Sequence, residues 1–160
     1  MTGWTWIRVG AALGFLGVAF GAFGAHGLKA KLDALGTAAT FQTAVQYHMY
    51  HALALLAVGA LITHGGGGPL SVAAWSFLLG VFVFSGSLYA LALTGTRWLG
   101  AITPIGGVLF LVGWAALAGM RSPVGEWIPY PPLTHRGQIS PETDQSKAES
   151  SADDGTENRR

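Results

Sequence analysis

The chain has 160 residues, of which 51% are hydrophobic, 11% are charged and none is cysteine. Soluble domains are typically about 25% charged, so this composition excludes an ordinary soluble globular protein. The missing cysteines exclude disulfides, iron–sulfur clusters and thiolate metal sites, and a formal charge of +1 without a basic cluster gives no indication of nucleic-acid binding.

The distribution of charge along the chain identifies membrane-spanning segments. The 63 residues between Asp33 and Arg97 contain no Asp, Glu, Lys or Arg, and residues 9–28 and 98–120 are also free of charge. Because a helix crosses the hydrocarbon with about 20 apolar residues, the long stretch accommodates two crossings and each flank one. Backbone polar groups find no partner in lipid, so these segments should be helical. The sequence therefore predicts an all-α fold, a four-helix transmembrane bundle.

Local signals give approximate limits for the four spans. Glycines at 65–68 and the following Pro69 end the second span, and the turn at residues 95–97 reverses the chain after the third. These spans form a predicted transmembrane domain of residues 1–122. The predicted helices are residues 4–25, 42–64, 70–94 and 99–120.

Two polar segments lie outside the spans. Residues 29–43 are too polar to cross a membrane and are expected at the interface, where Thr37 or Thr40 could cap the second helix. Residues 123–160 carry 11 of the 17 charged residues and few large apolar ones. Such a segment cannot bury a core, so a disordered polar tail is predicted.

Five glycines define one stripe along the first helix. Spaced by four and three residues in turn, they are Gly10, Gly14, Gly17, Gly21 and Gly24. A glycine stripe lets another backbone approach closely, which is how helices pack in lipid; the partner helix could belong to the same chain or to a second copy. Gly3 lies outside the predicted span, so its substitution is expected to be harmless. A cleaved signal peptide is the alternative interpretation of this segment, but the stripe favours a retained helix.

Four crossings place the polar residues of the spans on one side of the membrane. This side holds the end of the first helix, the start of the second, the end of the third and the start of the fourth. The histidines of this polar cluster are His26, His48 and His51, and its other members are Ser85, Ser87, Tyr89, Thr103 and Pro104.

The three histidines are the candidate metal ligands. His48 and His51 are three residues apart and project to similar azimuths on a helix, and His26 could add a third ligand from the neighbouring helix end. Imidazoles in this pattern suit zinc, copper, haem iron or a proton relay. The favoured interpretation is anchoring through hydrogen bonds, with no cofactor. No carboxylate lies in any span, which disfavours His/Glu zinc hydrolysis and carboxylate proton relays.

The serines and the proline of the polar cluster have structural interpretations. Ser85 and Ser87 do not form a GxSxG motif and no acid is available for a triad, so interhelical hydrogen bonds are expected. Pro104 lies five or six residues inside the predicted fourth helix, where it would free a backbone carbonyl and kink the helix.

Four motifs carry a resemblance to a known family. In chain order they are GAFGAHGLK, QYHMYHALALL, FSGSLYALALTG and LGAITPIGG. Their order and spacing resemble the domain-of-unknown-function 423 family of small integral membrane proteins, related to transmembrane protein 256, over about residues 5–120. The resemblance implies a four-helix bacterial membrane protein and transfers no catalytic residue.

The sequence favours a non-enzymatic accessory protein of the bacterial inner membrane, surrounded by lipid and packing with a second copy or another membrane protein. An enzyme is not predicted, because no nucleophile and base are paired. The first alternative is a metal- or haem-binding membrane protein that uses the three histidines. A further alternative is an oligomeric small transporter, since four helices enclose little room for a path. The positive-inside rule favours a cytoplasmic polar-cluster side by a single residue, with Lys29, Lys31 and Arg97 against Arg8 and Arg121.

Overall fold

A computed structural model describes residues 1–65 and 67–120 of the protein. The predicted disordered tail, residues 123–160, lies outside the described part. The described residues form six α-helices: α1 Gly3–Ala25, α2 Lys29–Ala34, α3 Ala38–Thr63, α4 Gly68–Gly80, α5 Gly86–Thr94 and α6 Thr103–Ala118. Four continuous helical spans are long and apolar enough to cross a membrane, namely Gly3–Ala25, Ala38–Thr63, Gly68–Thr94 and Arg97–Ala118. The predicted all-α, four-span fold is confirmed.

The third span is continuous but not uniform. A π-helical turn, Val81–Ser85, joins α4 to α5. Such turns contain one residue more than the α-helical repeat, and they are frequent at functional sites. The hydrophobic periodicity of this span did not predict it.

The fourth span differs from the prediction at its start. Arg97–Ala101 form a 3₁₀ segment, and α6 begins only at Thr103. Pro104 therefore lies in the first turn of α6, where an N–H has no partner within the helix and its absence costs little. The prediction of a kink inside a helix is wrong, because the helix begins later than the hydrophobic pattern suggested.

The segment between the first two spans contains the short helix α2 and packs against the end of α5. Thr37 occupies the position before α3, but its hydroxyl makes no capping hydrogen bond. It donates instead to the carbonyl oxygen of Ala92, at 2.7 Å. Leu32 and Phe41 are buried beside Ala92 in a small apolar cluster. The predicted cap is thus replaced by a tertiary hydrogen bond that ties the interfacial segment to the third span.

Helix α3 is the centre of the bundle. It contacts α1 along its length on one side and α4, the π-helical turn and α5 on another. Its apolar window is the most buried of the four, at 39%, against 17% for α1 and for the span that contains α6. The largest fully buried apolar side chains of the described part belong to α1, α3 and α4: Trp6, Leu55, Val58, Leu70 and Phe77.

Glycines set the close approach of α1 to α3. A Cβ atom on Gly3 would lie 2.6 Å from the carbonyl oxygen of Gly59, and one on Gly59 would lie 2.8 Å from the nitrogen of Ile7. Gly10 also faces the α3 backbone, 3.0 Å from the nitrogen of Leu56. The two helices therefore run antiparallel in backbone contact at this end. The expectation that Gly3 is harmless to replace is wrong, because α1 begins one residue before the predicted span and Gly3 is buried.

The remaining glycines of the stripe differ in what they meet. Gly17 faces the side chain of Met49, Gly21 lies 3.4 Å from Val45 and Gly24 faces the ring of Phe41. A Cβ on Gly14 would meet nothing within 4 Å. Gly14 thus makes no close packing contact, because no atom of α3 lies opposite it at this point of the crossing. The partner left open by the sequence is a helix of the same chain.

Candidate functional site: the aromatic and polar interior

The two histidines of α3 are both buried but contact different neighbours. His48 packs near Phe20 of α1 and Tyr89 of α5, with ring centroids 6.2 and 6.1 Å away. His51 packs against Phe110 of α6 and Phe77 of α4, at 3.4 and 5.4 Å. Residues three apart on an α-helix differ by about 60° in azimuth. At the centre of a bundle this angle is enough to direct them to different helix pairs.

His51 has hydrogen bonds at both ring nitrogens. Its Nδ1 lies 2.8 Å from the carbonyl oxygen of Tyr47, which can only accept, so Nδ1 carries the proton. Its Nε2 then accepts from the indole N–H of Trp114, at 3.2 Å. The imidazole also stacks on Phe110 with an interplanar angle of 7°. Both nitrogens are therefore occupied by contacts inside the bundle, and neither is free to bind a metal.

His48 is only half satisfied. Its Nδ1 lies 3.3 Å from the hydroxyl of Tyr89, while its Nε2 is buried without a hydrogen-bond partner in the part of the chain that the structure describes. The hydroxyl of Ser85, in the π-helical turn, is the other buried polar atom without a partner there. Each such atom carries a cost in an apolar interior.

His26 does not join the other two histidines. It is the exposed residue that ends α1, beside a shallow surface pocket lined by Ala22, Phe23 and Gly27. Among residues 1–65 and 67–120, no three His, Cys, Asp or Glu side chains form a group that could hold a metal ion. The structure therefore does not assemble the predicted candidate trio.

Ser87 links the third and fourth spans. Its hydroxyl lies 2.9 Å from that of Thr103, at the start of α6, and 3.0 Å from the carbonyl oxygen of Phe84, to which it donates. Thr103 is then the donor in the interhelical bond. Three residues later, Gly106 lies so close to Phe84 that a Cβ on Gly106 would overlap the Phe84 backbone, only 2.7 Å from the Phe84 Cα atom. The polar pair and the glycine together fix the start of α6 on the π-helical turn.

An aromatic groove opens beside His51, between α3 and α6. It has a volume of about 490 Å³ and is lined by Tyr47, His51, Phe84, Pro104, Gly107, Val108, Phe110, Leu111 and Trp114. The sequence singled out His51 and Pro104 but not Phe110 or Trp114. Trp114 could have been found, because an indole N–H in the middle of an apolar span needs an acceptor.

Comparisons with known proteins place these features in a family. Residues 20–107 match the model of a family described as "Protein of unknown function (DUF423)". The chain belongs to this family. The matched region contains His26, His48, His51, Ser87 and Thr103, and ends before Phe110 and Trp114.

Similar bacterial proteins extend the match over most of the membrane domain. A UPF0382 membrane protein of Staphylococcus saprophyticus is 49% identical over 113 residues, which are 69% of this chain and 91% of the relative. The UPF0382 membrane protein YwdK of Bacillus subtilis is 47% identical over 68% of this chain and 88% of its own length. One from Haemophilus influenzae is 45% identical over 68% and 86%. No solved structure matches. The protein is a multi-pass bacterial membrane protein of an uncharacterised family.

Proposed function

We propose that the protein is a non-enzymatic membrane protein that acts by packing its helices against those of a partner in the same bilayer. The observation that carries this proposal is the use of the polar side chains. His51 pairs with Trp114, Ser87 with Thr103, and Thr37 with a backbone carbonyl, all between helices. Side chains engaged in this way support the packing of helices rather than the chemistry of a substrate.

The surfaces available to a partner are the outer faces of α1 and α6. Several large apolar side chains on these faces are more than half exposed, among them Phe15 and Val18 on α1 and Val108 and Leu111 on α6. The glycine stripe packs inside the chain, so it is not available to a second molecule. A partner, which we take to be a second copy of the chain, would therefore meet one of these apolar faces.

The absence of cysteine allows this proposal to be tested by cross-linking in native membranes. We expect single cysteines at Val18 or Leu111 to give a disulfide-linked dimer when the membranes are oxidised with copper phenanthroline. Ser76→Cys is the matched control, because Ser76 is 8% exposed and the two side chains are similar in size. Monomer at both outer positions would contradict association through these faces.

The two alternatives from the sequence have less support. A metal or haem site would have to use histidines that the fold separates. In addition, both ring nitrogens of His51 are already hydrogen-bonded. A transporter would need an oligomer to enclose a path, so the same cross-linking experiment bears on it. Metal analysis of the purified protein tests the first alternative directly, and a stoichiometric metal would revive it.

A further inference from the structure

The aromatic groove between α3 and α6 has the properties of a small-molecule site. Its volume of about 490 Å³ lies within the range of about 300–1,000 Å³ that is usual for such sites. The hydrogen bonds of His51 require its neutral form, and none of the other eight residues that line the groove carries a formal charge. A charged ligand would find no counter-charge there, so the groove is suited to a neutral one.

Three aromatic rings of the groove lie at small angles to that of Tyr47, whereas two of them, Phe84 and Phe110, are inclined by 52° to each other. The ring of Tyr47 lies 4.5 Å from that of Phe84 with an interplanar angle of 28°, and it is inclined by 20° to His51 and 27° to Phe110. His51 and Phe110 stack at 7°. A ring face that borders the groove favours a ligand that is itself flat, because offset stacking is a preferred aromatic geometry.

The groove also contains a hydrogen-bond donor without a partner. The Tyr47 hydroxyl makes no hydrogen bond to the residues that the structure describes, whereas the imidazole of His51 and the indole of Trp114 are bonded to each other. Helix α3 has 26 residues and is therefore about 39 Å long. A hydrocarbon layer of about 30 Å centred on it would begin about 5 Å from Ala38, and Tyr47 lies about 14 Å from Ala38. At this depth a ligand is the natural source of an acceptor.

We propose that this groove binds a neutral, membrane-soluble ring compound with carbonyl acceptors, of the para-quinone class. The ring would lie against Phe84, and a carbonyl oxygen would accept from the Tyr47 hydroxyl. The apolar tail of such a compound would leave through the lipid-facing opening. A lipid acyl chain offers neither a flat ring nor an acceptor, so the rings and the hydroxyl favour the quinone. This inference does not rest on the proposed packing function, although Val108 and Leu111 line the groove and also lie on the outer face of α6.

The chain offers a substitution that fills the groove without disturbing the helices. Gly107 lines the groove, and the nearest atom to a Cβ placed on it is 3.9 Å away, in the Phe84 ring. Gly107→Leu should therefore fold and occupy the ligand's space. Gly14→Leu is the matched control, since a Cβ there meets nothing within 4 Å. Tyr47→Phe removes only the hydroxyl, and Tyr50→Phe is its control, because Tyr50 lies on the same helix but does not line the groove.

The experiment uses the full chain in phosphatidylcholine nanodiscs, titrated with a ubiquinone that carries two isoprene units. Binding is measured as the saturable part of tryptophan fluorescence quenching. We expect the apparent Kd to rise at least about tenfold in Gly107→Leu and about fivefold in Tyr47→Phe, as for one lost hydrogen bond. It should not change in Gly14→Leu or Tyr50→Phe.

Three results would overturn the quinone assignment. One is quenching that does not saturate, and another is quenching that is the same in Gly107→Leu and Tyr47→Phe as in the parent protein. The third is displacement of the quinone by an equal concentration of oleic acid, which would assign the groove to acyl chains. If Gly107→Leu fails to fold, the isosteric pair Tyr47→Phe and Tyr50→Phe decides the outcome.

Discussion

His51 illustrates how a polar side chain is accommodated inside this apolar bundle. It is only 5% exposed, and the groups that contact its nitrogens and its ring come from three helices, α3, α4 and α6. The cost of burying an imidazole is offset because each nitrogen has a partner. Its removal would leave a cavity against Phe110 and an unpaired indole N–H on Trp114.

We predict that His51→Ala destabilises the protein by about 2 kcal/mol, because it leaves a cavity and removes the acceptor of the Trp114 indole N–H. The measurement is thermal or denaturant unfolding in detergent. His64→Ala is the control, since His64 is exposed beyond the end of α3 and its loss should cost at most about 0.5 kcal/mol. Equal stabilities for the two variants would show that His51 is not an interior anchor.

A second prediction at this scale concerns the Ser87–Thr103 pair. A double-mutant cycle with Ser87→Ala and Thr103→Val should give a coupling energy of about 0.6 kcal/mol, the average for hydrogen bonds between membrane helices. The bond joins the third span to the start of α6 at 2.9 Å, so it is absent from either single variant. Additive effects within error would contradict a direct bond between the two hydroxyls.

At the scale of the helix, the contacts of the glycines depend on what lies opposite them. Gly59 and Gly3 meet backbone on the facing helix, Gly80 and Gly113 meet phenylalanine rings, and Gly14 meets nothing. A ring or a flexible side chain can move to admit a methyl group, whereas a backbone atom can move only with its helix. The α1–α3 crossing near Gly3 and Gly59 is therefore intolerant of substitution, as is the contact of Gly106 with the Phe84 backbone.

We predict that Gly59→Ala destabilises the protein by about 1–3 kcal/mol, although alanine is favoured over glycine in a helix by about 1 kcal/mol. The added methyl would lie 2.8 Å from the Ile7 nitrogen and 3.0 Å from the Gly3 oxygen, so the helices must separate. The matched substitution Gly14→Ala should leave stability unchanged or raise it. Unfolding in detergent tests both, and a stabilising Gly59→Ala would contradict the close crossing.

The helices could be predicted more fully than their contacts. The first span was expected at residues 4–25 and is Gly3–Ala25, because the charge map reflects the demand of the bilayer for apolar helix. The glycines that contact the backbone of a facing helix could not be predicted, because these contacts depend on how the two helices cross. Gly59, which lies outside the stripe, had no local signal. The same holds for the π-helical turn, which lies against Gly106.

The candidate site was predicted only in part. The sequence indicated hydrogen bonds between helices for both Ser85 and Ser87; Ser87 makes one with Thr103, whereas the Ser85 hydroxyl has no partner among the described residues. The three candidate histidines do not form one group. Their spacing in the sequence gives the azimuths of His48 and His51 on α3, but it does not show which helices surround α3. The aromatic groove was not predicted at all, since Tyr47, Phe84 and Phe110 come from three different spans and are ordinary apolar residues in each.

At the scale of the whole molecule, the fold is an antiparallel bundle arranged around α3. The start of α1 lies against the end of α3, through Gly3 and Thr63, and the end of α1 lies against the start of α3, through Gly24 and Phe41. The interfacial segment after α1 meets the end of α5 through Thr37. The chain ends of the first three spans thus alternate between two sides, as four crossings require.

Topology reporter fusions made after residues 31, 64, 96 and 121 test the four-span bundle most directly. The bundle described here predicts that the 31 and 96 fusions report one side of the membrane and the 64 and 121 fusions report the other. The same data would also give the orientation in the membrane. The weak excess of Lys29, Lys31 and Arg97 favours a cytoplasmic location of the 31 and 96 fusions. If the 31 and 64 fusions reported the same side, α3 would not cross the membrane and the four-span bundle would be wrong.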